Sequence, residues 1–295
     1  MIWTIPAKTF LLGEYVALQG GPAIVLTTTP CFEVGVSREQ TCSAIHPDSP
    51  AGLLWTKSNS DSQLTWYDPY QGIGGLGASS AQFLGAYRSL GLQQRSKKDT
   101  LLDAYWACSW QAKKGIRPSG YDVLAQDSSG CVYINHHVVS ASYPWPFRDM
   151  AFILLHTGDK LPTHDHLQSI SSIRLTNAMT SLISTVLSGK EAFERADSTQ
   201  LIDAVQAYHQ TLTLLDLVAD RTQKQLACLK RDLDVLACKG CGAMGADVLF
   251  VLVPSDRLLT CKERFNLEGW SVLATSNDLY DKSYEKNPNR IPFTS

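Results

Sequence analysis

The sequence predicts an α+β protein of two domains, and three observations carry that reading. Its 295 residues exceed the ~100–200 of a typical domain. Strand-like segments open each half of the chain, and a block of amphipathic helices is segregated into the second half. The Pro144-Trp145-Pro146 segment marks the boundary, because two prolines so close fit neither a helix interior nor a central strand. The expected division is residues 1–148 and 149–295.

Within the first half, Ile24-Val25-Leu26 follows the turn signal Gly20-Gly21-Pro22, and Phe32 to Val36 alternates apolar with smaller or polar residues. Both read as short strands. A polar stretch from Lys57 to Gln71 leads into a glycine-rich run, after which Ser80 opens a helix. Phe83, Leu84, Tyr87 and Leu90 share one face of it, and Gly91 stops it. A second helix is expected from Asp99 to about Lys114, with Leu102, Tyr105 and Trp106 apolar.

The second half begins with a buried strand, Ala151 to Leu155, followed by three amphipathic helices. Leu167, Ile170, Met179, Leu182 and Val186 mark the first, which Gly189 is expected to end. Leu201, Val205, Tyr208, Leu212 and Leu215 mark the second, and Leu226, Leu229, Leu233 and Leu236 the third. Further strands are expected at Val248 to Val253 and Trp270 to Ala274.

Charge narrows the function classes. Twenty-six Lys and Arg against 28 Asp and Glu give a net charge of −2, so no basic excess points to nucleic acid or an anionic membrane. No apolar run approaches the ~18 residues of a membrane span. The N-terminus lacks a signal-peptide pattern, since Lys8 and Glu14 interrupt its apolar stretch. Eight cysteines are too few for a disulfide scaffold in a chain of this size, and a cytoplasmic setting with reduced thiols is expected.

Four segments carry candidate chemistry. In Gly72-Ile73-Gly74-Gly75-Leu76-Gly77-Ala78-Ser79-Ser80, closely spaced glycines let backbone N–H groups curl around an anion at the positive end of a helix. Ser79 and Ser80 add hydroxyls for a phosphate oxygen or its magnesium. The run satisfies G-x-G-x-x-G, but the polar segment Gln63 to Gln71 is not the apolar strand of a dinucleotide fold. It also approaches a Walker A motif, with Ala78 where that motif has lysine. A flexible loop before a helix is the bland alternative.

The other three are ambiguous singly. Lys8 in Pro6-Ala7-Lys8-Thr9-Phe10-Leu11-Leu12-Gly13-Glu14-Tyr15 could snorkel to solvent. Asp122 in Arg117-Pro118-Ser119-Gly120-Tyr121-Asp122 could be a helix cap. Lys239 to Asp247 reads as a small-residue loop before a strand, allowing backbone to approach a ligand or another loop.

In their order, P-x-K-x-x-L-x-G-E-Y, G-L-G-x-S-S-A, S-G-x-D and G-x-G-A-M-G-A-D, these segments resemble the GHMP small-molecule kinases, over Pro6 to Val253. That superfamily includes galactokinase, homoserine kinase, mevalonate kinase and phosphomevalonate kinase. The resemblance implies an N-terminal domain like domain 2 of ribosomal protein S5 and a ferredoxin-like C-terminal domain. It implies ATP and Mg2+ as cofactors, with ATP in the loop formed by Gly74, Gly75, Leu76, Gly77, Ala78, Ser79 and Ser80, and the metal near Ser79 and Ser80. It places Asp122 as the catalytic aspartate and Lys8 as the lysine assisting it. Glu14, Arg117, Ser119, Gly120, Lys160, Gly242 and Ala243 would face the substrate, and Gly240 to Asp247 would buttress the site. The implied partner is a small-molecule substrate; a homodimer is a candidate assembly, on which the sequence does not decide.

Departures narrow the branch. Mevalonate kinases carry a metal-binding glutamate eleven residues before the aspartate, where this chain has Gln111, and an amide is a poorer magnesium ligand. Gln111, Tyr15, and Thr157-Gly158-Asp159-Lys160 followed by Thr163 look more like phosphomevalonate kinases. A phosphomonoester acceptor is already anionic, and Arg117 and Lys160 could hold its charge. Ala78 departs again, standing where the family places its first serine.

Competing readings are a diphosphomevalonate decarboxylase, a silent sensor on the same fold, favoured by Gln111, and a dinucleotide-dependent reductase. Cys238-Lys239-Gly240-Cys241 lacks a second ligand pair for zinc. His164 and His166, two apart, do not share a helix face. Trp106 and Trp110, one helical turn apart, read as packing residues.

Overall fold

Strand β1 (Ile2–Leu12) pairs antiparallel with β2 (Ala23–Ser37). The short strands expected in this region are thus one long strand crossing Thr29-Pro30. From Ile5 onward β1 is buried on both faces, and alternate residues feed two layers. Ile24 and Leu26 enter the main core, while Ala23 and Val25 face a smaller cluster with Tyr121 and Ala125. The computed structural model describes residues 2–38, 45–92, 100–110, 116–158, 172–231 and 234–282.

The first sheet runs β1-β2-β4-β5, and β3 also pairs with β2. Strands β3 (Gln63–Tyr67), β4 (Cys131–Asn135) and β5 (Val138–Tyr143) were not anticipated, nor was helix α1 (Pro50–Lys57). Helix α2 (Ala78–Ser89) buries Phe83, Leu84 and Tyr87 as its periodicity predicts. Helix α3 (Leu101–Ser109) starts at a Thr100–Asp103 capping box, two residues after the expected Asp99. Its expected extension to Lys114 lies outside the described residues, as does Gln111. Helix α4 (Tyr121–Gln126) follows Gly120.

The second sheet is antiparallel in the order β7-β8-β6-β9. Its strands are β6 (Met150–His156), β7 (Ala237–Cys241), β8 (Val248–Pro254) and β9 (Ser271–Thr275). Helices α5 (Ser172–Arg195), α6 (Ser198–Leu214) and α7 (Asp220–Leu229) join β6 to β7, and α8 (Leu258–Leu267) joins β8 to β9. That is the βαββαβ order of a ferredoxin-like fold. Phe152, Leu154 and Phe250 join the core shared with the first sheet, whereas Ile153, Val251, Leu226 and Phe265 form a second core on the opposite face.

Three expectations need correction here. Gly189 does not end α5, which continues to Arg195. A Cβ on Gly189 would lie 2.5 Å from Leu12 Cδ1, so this glycine lets the helix approach the first sheet. The third helix stops at Leu229; Leu236 lies just before β7, and Leu233 is outside the described residues, as are Leu167 and Ile170. Lys239 to Cys241, expected as loop, belongs to β7, leaving Gly242 to Asp247 as the turn into β8. Among the described residues no helix is long and apolar enough to cross a membrane.

Candidate active site

Strand β1 and helix α4 bring the first two site residues together. The Lys8 ammonium group lies 3.1 Å from Asp122 Oδ1, with side chains 10% and 34% exposed. A buried lysine tip beside a half-exposed carboxylate leaves the aspartate open to solvent on one side. Gly120 takes φ 73° to start α4, and its Cα rests on α3, where a Cβ would lie 2.4 Å from Leu102 Cδ2. The missing side chain at Gly120 thus lets α4 pack closely on α3 and aims the helix. The Tyr105 phenol is raised above its usual pKa, by burial first and then by the Asp122 charge.

The glycine-rich run is tied to this pair. Lys8 N–H donates to the Leu76 carbonyl at 2.9 Å, and Gly77, at φ 86°, caps α2. A Cβ on Gly77 would lie 2.8 Å from Lys8 Cγ and 2.9 Å from Gln126 Nε2. Gln126, fully buried and four residues after Asp122, donates to the carbonyls of Pro6 at 2.8 Å and Gly77 at 3.1 Å. Positions i and i+4 share a helix face, so α4 sets the aspartate against Lys8 and the amide against the loop. Sequence reasoning passed over Gln126, though its spacing from Asp122 was a usable signal.

Other loop residues divide. Ser79 is exposed at the start of α2, while Gly74, Gly75 and Ala78 are half-buried. Leu76 is not a cofactor contact through its side chain, which belongs to the core. Ser80 is buried and donates to the Gly77 carbonyl at 3.0 Å, so its hydroxyl proton is committed to the helix start.

The remaining candidates are spread around this centre. Arg117 is exposed and stacks on Trp106 with its guanidinium carbon 4.1 Å from the ring centroid. The Trp106 indole N–H donates to the Pro118 carbonyl at 2.9 Å, and the Ser119 carbonyl lies 3.2 Å from His137 Nδ1. Glu14 does not face an open cleft: it is buried and pairs with Lys239, and burial raises its carboxyl pKa despite that lysine. Gly242, at φ 90°, and Ala243 lie in the β7–β8 turn. The turn ends at Asp247, whose side chain lies against Gly74 and Gly75. Lys160, Thr163, His164 and His166 lie outside the described residues. Among those described, no cluster of three His, Cys, Asp or Glu could hold a metal.

No protein-family model and no curated protein sequence matches this chain. Solved structures do. A Methanococcus jannaschii mevalonate kinase superposes with a TM-score of 0.73 at 13% identity, over 95% of this chain and 98% of that one. This chain has the GHMP kinase fold. A Streptococcus pneumoniae phosphomevalonate kinase, in complex with phosphomevalonate and AMPPNP, gives 0.72 at 17% identity over 93% and 99%. A Lactococcus lactis galactokinase complexed with galactose gives 0.68 at 12% over 92% of each chain. The sheets and the helices between them are those that the sequence resemblance implied.

Proposed function

We propose that this protein is an ATP- and magnesium-dependent kinase of a small anionic metabolite, with phosphomevalonate or mevalonate as the acceptor. The observation that carries the reading is the Lys8–Asp122 pair at 3.1 Å, joined through the Lys8 backbone to the glycine-rich run. The chain suits a nucleotide there: the run turns through positive φ at Gly72, Gly75 and Gly77 and ends at the N-terminus of α2, where backbone N–H groups and the Ser79 hydroxyl favour phosphate and its metal. ATP supplies the phosphoryl group, and magnesium offsets its charge. Residues 1–148 would hold the nucleotide and residues 149–295 would complete the cleft.

Phosphoryl transfer asks the protein chiefly for positioning and charge stabilisation. With an alcohol acceptor, Asp122 would take the hydroxyl proton as the acceptor oxygen bonds to the γ-phosphorus and the bond from that phosphorus to ADP breaks. Lys8 orients the carboxylate. Arg117, held flat by Trp106, meets an anionic group on the acceptor.

The test is ADP release by the purified protein offered mevalonate, phosphomevalonate, diphosphomevalonate, homoserine and galactose, with carbon dioxide followed in parallel. Release with an anionic acceptor and no carbon dioxide is expected. Carbon dioxide release would favour the decarboxylase. Nucleotide binding with no turnover of any acceptor would favour a sensor.

A further inference from the structure

Lys239 is wholly buried in β7, a strand of the second sheet, and its ammonium group pairs with Glu14, which follows β1 of the first. The proton transfer proposed above uses neither charge. Burying two ions costs several kcal/mol each, regained only where every remaining polar atom finds a partner. Here the second carboxylate oxygen of Glu14 finds no hydrogen-bond partner on another of the described residues, and Lys239 is otherwise met by the Cys241 sulfur at 3.5 Å and the Tyr208 ring, 5.9 Å to its centroid. An apolar pair of similar volume would serve stability as well or better. The ions therefore call for a reason other than stability.

Their neighbours supply one. Next to Glu14, the Tyr15 hydroxyl accepts from Met244 N–H at 3.1 Å, and burial raises that phenol to about 12. Met244 lies in the β7–β8 turn at φ 56°. The same turn ends at Asp247, where a Cβ on Gly75 would lie 2.9 Å from Asp247 Cβ. One corner, residues 13–15, thus holds β7 by charge and its turn by a hydrogen bond, and the end of that turn bears on the glycine-rich run.

We propose that Glu14 and Lys239 are positioning residues that set the 242–247 turn against Gly74 and Gly75, and so fix the glycine-rich run beside Lys8 and Asp122. The pair touches no reactant; its catalytic consequence rests on the kinase reading above.

The test is the double variant Glu14→Leu/Lys239→Met, with Glu14→Gln as a near-isosteric control should the double variant not fold. The double variant should melt no lower than wild type. Amide exchange across residues 242–248 should nonetheless quicken by about ten-fold or more, with β4 unchanged. In Glu14→Gln the same segment should quicken less. If wild type is an active kinase, kcat/KM in the double variant should fall by up to about 10²-fold, as for a small misplacement remote from the reacting atoms. Unchanged exchange across 242–248 in whichever variant folds would overturn the proposal, and so would full turnover despite faster exchange. An inactive wild type would instead count against the kinase reading, leaving exchange to decide the positioning role.

Discussion

A Cβ placed on Gly72 would meet nothing within 4 Å, whereas one on Gly240 would lie 2.2 Å from the Gly245 carbonyl oxygen. The two glycine-rich segments of the chain, 72–77 and 240–245, have similar composition, yet their glycines answer different demands. In the second, small residues let one stretch of backbone lie against another. In the first, demand changes along the run, from open space at Gly72 to contact with Lys8 and Gln126 at Gly77. The lesson is that glycine content marks close approach or freedom, and only the fold says which.

That contrast is sharpened by variants that separate stability from chemistry. The largest expected effect is Asp122→Asn, which leaves packing intact. It removes a base worth ~10²–10⁴-fold, so kcat for an alcohol acceptor should fall by that order while nucleotide affinity and melting temperature hold. A phosphomonoester acceptor should show a smaller loss. Wild-type turnover on every accepted substrate would remove Asp122 from the mechanism.

Gly240→Ala should show the opposite pattern. Its Cβ would meet backbone that cannot swing aside, and overpacking of this kind typically costs ~1–3 kcal/mol. Thermal unfolding should report that loss, with any fall in activity following stability. Unaltered melting would mean that β7 and its turn separate more readily than their contact implies.

Gly77→Val falls between these classes. A β-branched residue at φ 86° is strained by ~1–3 kcal/mol, and its Cβ presses on the Lys8 stem and the Gln126 amide. The damage should reach nucleotide through displaced protein groups, so calorimetry should show ATP affinity reduced by about ten-fold or more. Unchanged affinity would sink the assignment of the run as the nucleotide loop.

How much of this was legible depended on the range of the interaction responsible. The alternation in β2, the face of α2 and the apolar stripes of α5 and α6 are local patterns, and they showed. Motif order pointed to Lys8 and Asp122, and the fold places them in contact. Strand β3 was missed because an edge strand with one buried residue reads as polar loop. Strand β4, almost wholly buried, shows no alternation to distinguish it. Lys239 reads locally as the start of a small-residue loop, because its partner Glu14 is 225 residues away. Gly189 reads as a helix stop because the leucine that needs its missing side chain lies on another element.

The smallest effect is expected at Gly72, and it locates where the first segment changes character. Gly72 N–H donates to Asp68 Oδ2 at 2.8 Å, and Tyr70 N–H donates to Asp68 Oδ1 at the same distance. Asp68 thus holds the outer turn without help from the inner loop. Alanine there must adopt the left-handed φ of 86°, at roughly 1–2 kcal/mol, but its methyl group enters open space. Gly72→Ala should therefore lower the melting temperature by a few degrees, at about 2–4 °C per kcal/mol for domains approaching this size. ATP affinity should stay within about three-fold of wild type, since the strain falls on the turn held by Asp68. Calorimetry beside thermal unfolding separates the outcomes. A ten-fold loss of affinity without greater instability would mean that nucleotide reaches Gly72, and that open space at a glycine, as well as its position next to α2, marks the ligand face of the run.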